Sequence, residues 1–434
     1  MARLTLGLVA ALLLGGAGLA AWQVLGERRL IARVALTAPD PFTIPDQPGE
    51  WRGKIDYSGL DRDLRRLMLR PEMAGLAVAV VEAGELRFVG TYGMADRSTG
   101  APVTPQTLFR WASVSKTATG MLAAKLSAEG AIDLNQPLSR SRTSLRLPGG
   151  AEARLTLAQL LAQQSGLTKN AFDERLEDGQ DPAIIRASLA TAPLQCLPGT
   201  CYTYQNIAFD AASEILGGAA GGDFANAVTQ RLFRPLGMAS TGFGMAQLTS
   251  AASWARPHHL DRVTPLSEAY WRVPAAAGID SNIVDFALWM QAAMGMRPEV
   301  LPAPVRQLAM QPRVATDRPY SGALARSLTN ARYGLGWRSF AYHGRTLAGH
   351  SGAVAGYRAT MIFDPAARTG TVVMWNSNWG IPFRIPFAVL DRYFGDGTTD
   401  WFDLRAIPLP GTARAAPPAA LPALPQAMSD KNRR

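Results

Sequence analysis

The sequence predicts an α+β protein in which one antiparallel sheet is flanked by helices and carries an inserted all-helical subdomain. Two observations lead there. Period-two apolar segments bounded by turn residues occur near both ends of the chain, and segments with apolar residues at helical spacing fill the stretch between them. With 434 residues, 47% of them hydrophobic, the chain is long enough to bury a core of that kind.

Taken in order, Arg3 precedes an apolar run from Leu4 to Ala21, followed by Trp22 and the charged Glu27-Arg28-Arg29. Residues 1–26 therefore read as an export leader, either a cleaved signal peptide or a retained membrane anchor, which places the protein in the periplasm or on the outer side of a membrane. Residues 27–56 read as a linker, because Ala38 to Gly53 is rich in proline and polar residues. The folded domain is expected over 57–405. Leu60, Leu64, Leu67 and Met68 mark a first helix, and Leu76 to Val81 and Leu86 to Tyr92 read as strands joined at Ala83-Gly84. The helical subdomain, roughly 115–270, holds helical patterns at Leu155 to Leu161, Ala183 to Ala190, Ile207 to Leu216 and Phe224 to Leu232. Past Gly352 the pattern returns to strands, Tyr357 to Phe363 and Thr369 to Trp375, split by Asp364-Pro365-Ala366 and followed by a helix from Ile385 to Tyr393. Residues 406–434 are mainly proline and alanine and read as a disordered tail.

Composition narrows the function classes. The net charge is +10, yet the arginines are dispersed and no basic run or basic-aromatic interleaving appears, so no nucleic-acid partner is expected. Cys196 and Cys201 are the only cysteines; an oxidising compartment would let them pair across Pro198-Gly199, the alternative being two reduced buried thiols. His258-His259 has no carboxylate at ligand spacing and reads as a polar loop, so neither a metal nor another cofactor is expected.

The chemistry concentrates in three segments. Ser113-Val114-Ser115-Lys116 sets a serine and a lysine three residues apart where an extended stretch turns into a helix that Gly130 stops. Lys54, Lys116, Lys125, Lys169 and Lys431 are the only lysines in a chain that otherwise uses arginine, and lysine alone of the two can lose its proton. Unpaired N–H groups at the helix start favour an oxyanion and disfavour a charged Lys116. Tyr204-Gln205-Asn206, the only Tyr-x-Asn, offers a phenol that becomes a phenolate beside a cation, and an amide that both donates and accepts. The plainer alternative is a buried tyrosine with Asn206 capping the next helix. Gly349-His350-Ser351-Gly352-Ala353 lets a substrate lie against a strand edge, with His350 as a positive or hydrogen-bonding group and the Ala353 N–H pairing with that of Ser113 as an oxyanion hole.

In this order and at these separations, the three segments resemble the serine hydrolase family of class C β-lactamases, DD-peptidases and related esterases, over roughly Tyr57 to Tyr393. The stretches ending in Ser165-Gly166-Leu167 and at Pro235-Leu236-Gly237-Met238 are similar to the family's as well. The resemblance implies a β-lactamase/transpeptidase-like fold and an acyl-enzyme mechanism acting on a small-molecule or peptide ester or amide. Ser113 would be the nucleophile, Lys116 its base, and Tyr204 the proton donor to the leaving group. Asn206, His350, Gly352 and Ala353 would bind substrate. Members that attack β-lactams efficiently usually carry lysine where His350 stands, so the resemblance points toward esterases or D-amino-acid peptidases. Specificity is expected from Phe172 to Gly179 and from Tyr270-Trp271. A different class of function is a silent penicillin-recognising scaffold that binds wall peptide. A lipase-type elbow at Ser351 would need a helix after the serine, where strands are expected.

Overall fold

The computed structural model describes residues 51–316, 320–397 and 399–406. The leader, most of the linker and nearly all of the tail lie outside them. No helix among the described residues is long and apolar enough to cross a membrane.

Helix α1, Tyr57–Leu67, starts where the Asp56 side chain accepts the Gly59 N–H at 2.8 Å. It buries Tyr57, Leu60, Leu64 and Leu67, the face set by helical spacing. Strands β1, Gly75–Glu82, and β2, Glu85–Asp96, form the expected hairpin. Helix α2 spans Ser115–Ala128, α3 Asp173–Glu177, α4 Ile207–Ala219, α5 Pro274–Ala277 and α6 Ile283–Met294. The chain then enters β3, Thr329–Tyr333, β4, Arg338–Tyr342, β5, Arg345–Val354, β6, Tyr357–Asp364, and β7, Thr369–Trp375, and α7 closes the fold at Ile385–Phe394.

These strands make one antiparallel sheet in the order β2-β1-β7-β6-β5-β4-β3, with two-residue strands at each edge. The N-terminal hairpin thus pairs with the last strand, Leu76 opposite Trp375 and Val80 opposite Thr371. Strand β1 is buried along its whole length because both faces are covered. Leu76, Val78 and Val80 join Leu60, Leu64, Val373, Trp375 and Phe387 in one core beneath α1 and α7. Their alternating neighbours Ala77 and Ala79 point to the other face, where α6 packs. There Trp111 packs tilted against Phe286 and Trp289, with centroids 4.7 and 6.2 Å away, and Trp289 Nε1 donates to Thr117 Oγ1 at 3.0 Å. This links α6 to the helix that bears Lys116.

Two expectations need correction. The return to strands comes well before Gly352: the two-residue edge strand Val314–Ala315, β3, β4 and most of β5 precede it. Their sequences hide the period, since β3 lies one strand in from the edge with mostly polar, exposed residues and β5 is built mainly from small ones. His258-His259 is a short strand paired with Arg262–Val263 rather than a loop. His258 is buried, with Nε2 accepting the Arg97 N–H at 3.2 Å and Nδ1 against the Arg256 carbonyl at 2.8 Å.

Candidate active site

Ser113 sits in a single 3-10 turn, Ala112–Val114, that feeds α2. Ala112 holds φ at +48°, a left-handed conformation that costs a non-glycine residue about 1–3 kcal/mol and must be imposed by its surroundings. The surroundings are specific. Trp111 N–H donates to the Ile279 carbonyl at 2.9 Å, Trp111 Nε1 to Ser281 Oγ at 2.5 Å, and the Ile279 N–H to Ser115 Oγ at 3.1 Å. Strand β5 presses on the turn from the other side. A Cβ built on Gly352 would lie 2.2 Å from the Trp111 carbonyl oxygen and 2.9 Å from the Ser113 nitrogen. Gly352 is therefore a close-approach residue rather than a lining one, while Ala353 does line the cavity beside Ser113.

Lys116 is fully buried. Its Nζ stands 3.4 Å from Ser113 Oγ, 2.7 Å from Asn206 Oδ1 and 3.1 Å from the Ala276 carbonyl oxygen. Burial lowers its pKa to about 7; Arg338 adds to the fall, and Asp173 and Asp210 oppose it. Desolvation, more than the helix start, accounts for a neutral lysine here. The Ala276 carbonyl is held in turn, because α5 is pinned where the Ala275 N–H donates to Asp210 Oδ1 at 2.9 Å.

The Tyr204-Gln205-Asn206 segment is fixed by Gln163, whose Oε1 accepts the Gln205 N–H at 2.7 Å and whose Nε2 donates to the Gln205 carbonyl at 3.1 Å. Asn206 does not cap α4. Its Oδ1 accepts from Lys116, and its Nδ2 donates to Asp173 Oδ2 at 2.7 Å. The Lys116 ammonium nitrogen lies 4.7 Å from the Tyr204 ring centroid. Burial nevertheless pushes the Tyr204 phenol up to about 12; nearby Ser113 and Arg338 ease it and Asp173 hinders it. The phenolate expected from the sequence is thus replaced by a neutral phenol that faces Ser113.

Of the two roles open to His350, a positive or a hydrogen-bonding group, the hydrogen-bonding one fits its surroundings. Its Nδ1 faces the Ser351 carbonyl at 2.8 Å, so Nδ1 carries the hydrogen and Nε2 accepts the Tyr333 hydroxyl at 2.9 Å. Burial holds its pKa well below the ordinary value, and Arg338 and Lys116 push the same way. Replacing His350 by lysine would bury an ammonium beside two cations; H350K is expected to lose ~3 kcal/mol or more of stability, read as a fall in Tm. A variant melting with the wild type would show position 350 open to solvent. Ser351, whose Oγ bonds Tyr320 and Thr360 hydroxyls at 2.7 and 2.8 Å, lies inside β5 with β6 following, so the elbow geometry is absent from this segment.

Two residues of the site were not singled out in the sequence, although one of them lies within the Phe172 to Gly179 stretch expected to set specificity. Arg338, on β4 opposite Gly349, places its guanidinium 5.7, 5.7 and 5.1 Å from the ring centroids of Tyr202, Tyr204 and Tyr333. Burial opposes its charge, but the surrounding phenols outweigh it and the guanidinium stays charged. Its Nη2 donates to the Tyr202 hydroxyl at 2.8 Å, and its buried Nη1 has no partner among the described residues. Asp173 is the other, at the head of α3. A cavity of about 430 Å³ is lined by Ser113, Tyr204, Asn206, Ala353, Arg338 and Asp173 together. Beside it, Cys196 and Cys201 are joined in a disulfide, and the flanking Gln195 and Tyr202 line the same cavity.

The Beta-lactamase family model matches residues 60–387. The chain is 24% identical over 383 residues to the Unguisins hydrolase ungD of Aspergillus violaceofuscus, covering 80% of this chain and 67% of that one. It is 30% identical over 222 residues to Esterase EstB of Burkholderia gladioli, covering 48% of this chain and 56% of the esterase. Its fold is that of the octameric penicillin-binding protein homologue from Pyrococcus abyssi, with a TM-score of 0.71 at 21% identity over 79% of this chain and 78% of the other.

Proposed function

Because the chain belongs to the β-lactamase family, we propose that it is a serine hydrolase that cleaves an ester or amide through an acyl-enzyme on Ser113. The observation that carries this is a cavity-lining serine whose hydroxyl stands 3.4 Å from a buried lysine with a pKa lowered to about 7. A neutral Lys116 accepts the Ser113 proton as Oγ bonds the substrate carbonyl carbon. The carbonyl oxygen becomes an oxyanion beside the Ser113 and Ala353 backbone N–H groups. As the bond to the leaving group breaks, Tyr204 gives that group its proton and recovers one from Lys116. Water then attacks the acyl carbon, its proton passes through the same phenol and lysine to Ser113 Oγ, and the acyl–Oγ bond breaks to free the acid and restore Ser113.

Arg338 supplies the fixed positive charge that a lysine at position 350 would have given, and its free Nη1 suits a substrate carboxylate. This supports peptide-like donors ending in a carboxylate beside simple esters. Export belongs to the same proposal; the closed Cys196–Cys201 bridge, suited to an oxidising compartment, supports it. A panel of p-nitrophenyl esters, a D-alanyl-D-alanine peptide and a chromogenic cephalosporin tests the substrate class. Ester or peptide turnover with slow cephalosporin opening is expected; cephalosporin hydrolysis faster than either overturns the class.

A further inference from the structure

Asp173 is the one carboxylate among the described residues that line the cavity, and the acyl transfer steps leave it without a task. It is 7% exposed and lines the cavity beside Ser113. One oxygen is committed: Oδ2 accepts from Asn206 Nδ2 at 2.7 Å and from the Tyr270 hydroxyl at 3.4 Å. The other, Oδ1, is buried with no partner among the described residues. A buried carboxylate oxygen left unbonded costs more than a hydrogen bond normally returns, so a structure that keeps one there is missing a donor. The wall around it is mixed: Tyr270 donates to Glu177 Oε1 at 2.9 Å, and Lys169 and Asn170 line the same cavity. Burial is the largest influence on Asp173 and pushes its pKa up to about 6, while Asn206, Lys116 and Tyr270 pull it down, which leaves it ionised at neutral pH.

The cavity is therefore dipolar, with a guanidinium and a carboxylate each offering one unpartnered atom. The two ends are distinguishable. Arg338 stands over the Tyr204 ring, and Tyr204 is the group that protonates the departing atom, so the arginine faces the leaving group. Asp173 is reached instead through Asn206, which leaves its end to the acyl group.

We propose that Asp173 is a specificity residue that binds a protonated amine on the acyl group, so that the preferred substrates are esters or amides of amino-bearing acids. The amine donates one N–H to Oδ1 and its positive charge offsets the buried carboxylate; no bond is made or broken at Asp173. This rests on the hydrolase reading above.

The test compares thiobenzyl esters in two matched pairs: D-alanine against propionate, and Nα-acetyl-D-lysine against Nα-acetyl-D-norleucine. Released benzyl mercaptan is followed with a thiol reagent in wild type and Asp173→Asn. Asparagine keeps an acceptor for Asn206, and a loss common to both members of a pair cancels in their ratio, so only recognition of the ammonium moves the readout. The wild type is expected to favour the amino-bearing member of at least one pair by about tenfold in kcat/KM, the worth of one charged hydrogen bond, and D173N to bring that ratio to within about twofold of unity. A wild-type ratio near one in both pairs, or a preference that survives D173N, overturns the proposal. So does failure to turn over any of the four while a fluorophosphonate still labels Ser113, which would leave the hydrolase reading standing. If Ser113 is not labelled, the hydrolase reading itself falls and this inference with it.

Discussion

Replacing Ser113 by alanine lowers kcat/KM for small activated esters by ~10⁴-fold or more, because no other group in the cavity can form the acyl-enzyme and only binding and the backbone donors remain. The cavity residues left behind do not compensate. Tyr204 is a phenol pushed up to about 12, Ser351 is bonded on both sides within β5, and His350 is neutral and committed to Tyr333 and the Ser351 carbonyl. The folded state is expected to be little changed, since the Ser113 side chain lies at the cavity, where its contact with Lys116 is long. Turnover by S113A at the wild-type rate would remove the mechanism altogether.

Lys116→Arg is the second large effect. Arginine keeps the positive charge and the length to reach Asn206 and the Ala276 carbonyl, but it does not give up its proton, so the base is lost and kcat/KM falls by about 10³-fold. The wild-type pH profile carries the matching sign. Below pH 7 Lys116 holds its proton and cannot accept that of Ser113; activity is expected to rise as pH passes about 7 and the amine becomes neutral. The limb comes from burial of the lysine, so it should persist in high salt, which screens exposed charges far more than buried ones. A wild-type profile flat from pH 5 to 9, or K116R keeping both rate and limb, contradicts the assignment.

Much of this site was legible because its chemistry is local in sequence. Ser113 and Lys116 are one helical turn apart, and Tyr204 and Asn206 are two residues apart on a tight segment, so spacing alone groups each pair. The outer hairpin and the β6, β7 and α7 run carry clear periods for the same reason. What spacing does not carry is the assembly. Arg338 reaches the cavity only because β4 pairs with β5 in the register that sets it opposite Gly349, a contact no local pattern encodes. Asp173 arrives on a five-residue helix that follows Phe172 at φ +63°, and Gln163, with φ also +63°, buttresses the tyrosine segment from the end of another short helix. A proline-free turn of ordinary residues gives no signal for such left-handed positions.

Protonation states were hidden for a related reason. His350 looked like a titrating imidazole and Tyr204 like a phenolate because a sequence shows neighbours in the chain, while both pKa values are set by burial among side chains distant in it. The same burial makes Lys116 a base near neutrality. One physical cause therefore settles three residues, moving the lysine and histidine down and the tyrosine up, and it assigns proton acceptance to Lys116 alone.

The most direct test of that arrangement is the pH dependence of Ser113 phosphonylation by a fluorophosphonate, followed by intact mass and by mapping of the modified peptide. A single adduct on Ser113 is expected, with a second-order rate that rises through pH about 7. An adduct on another serine, or a rate on Ser113 that does not change across that range, would contradict Ser113 beside a buried Lys116 as the centre of the chemistry.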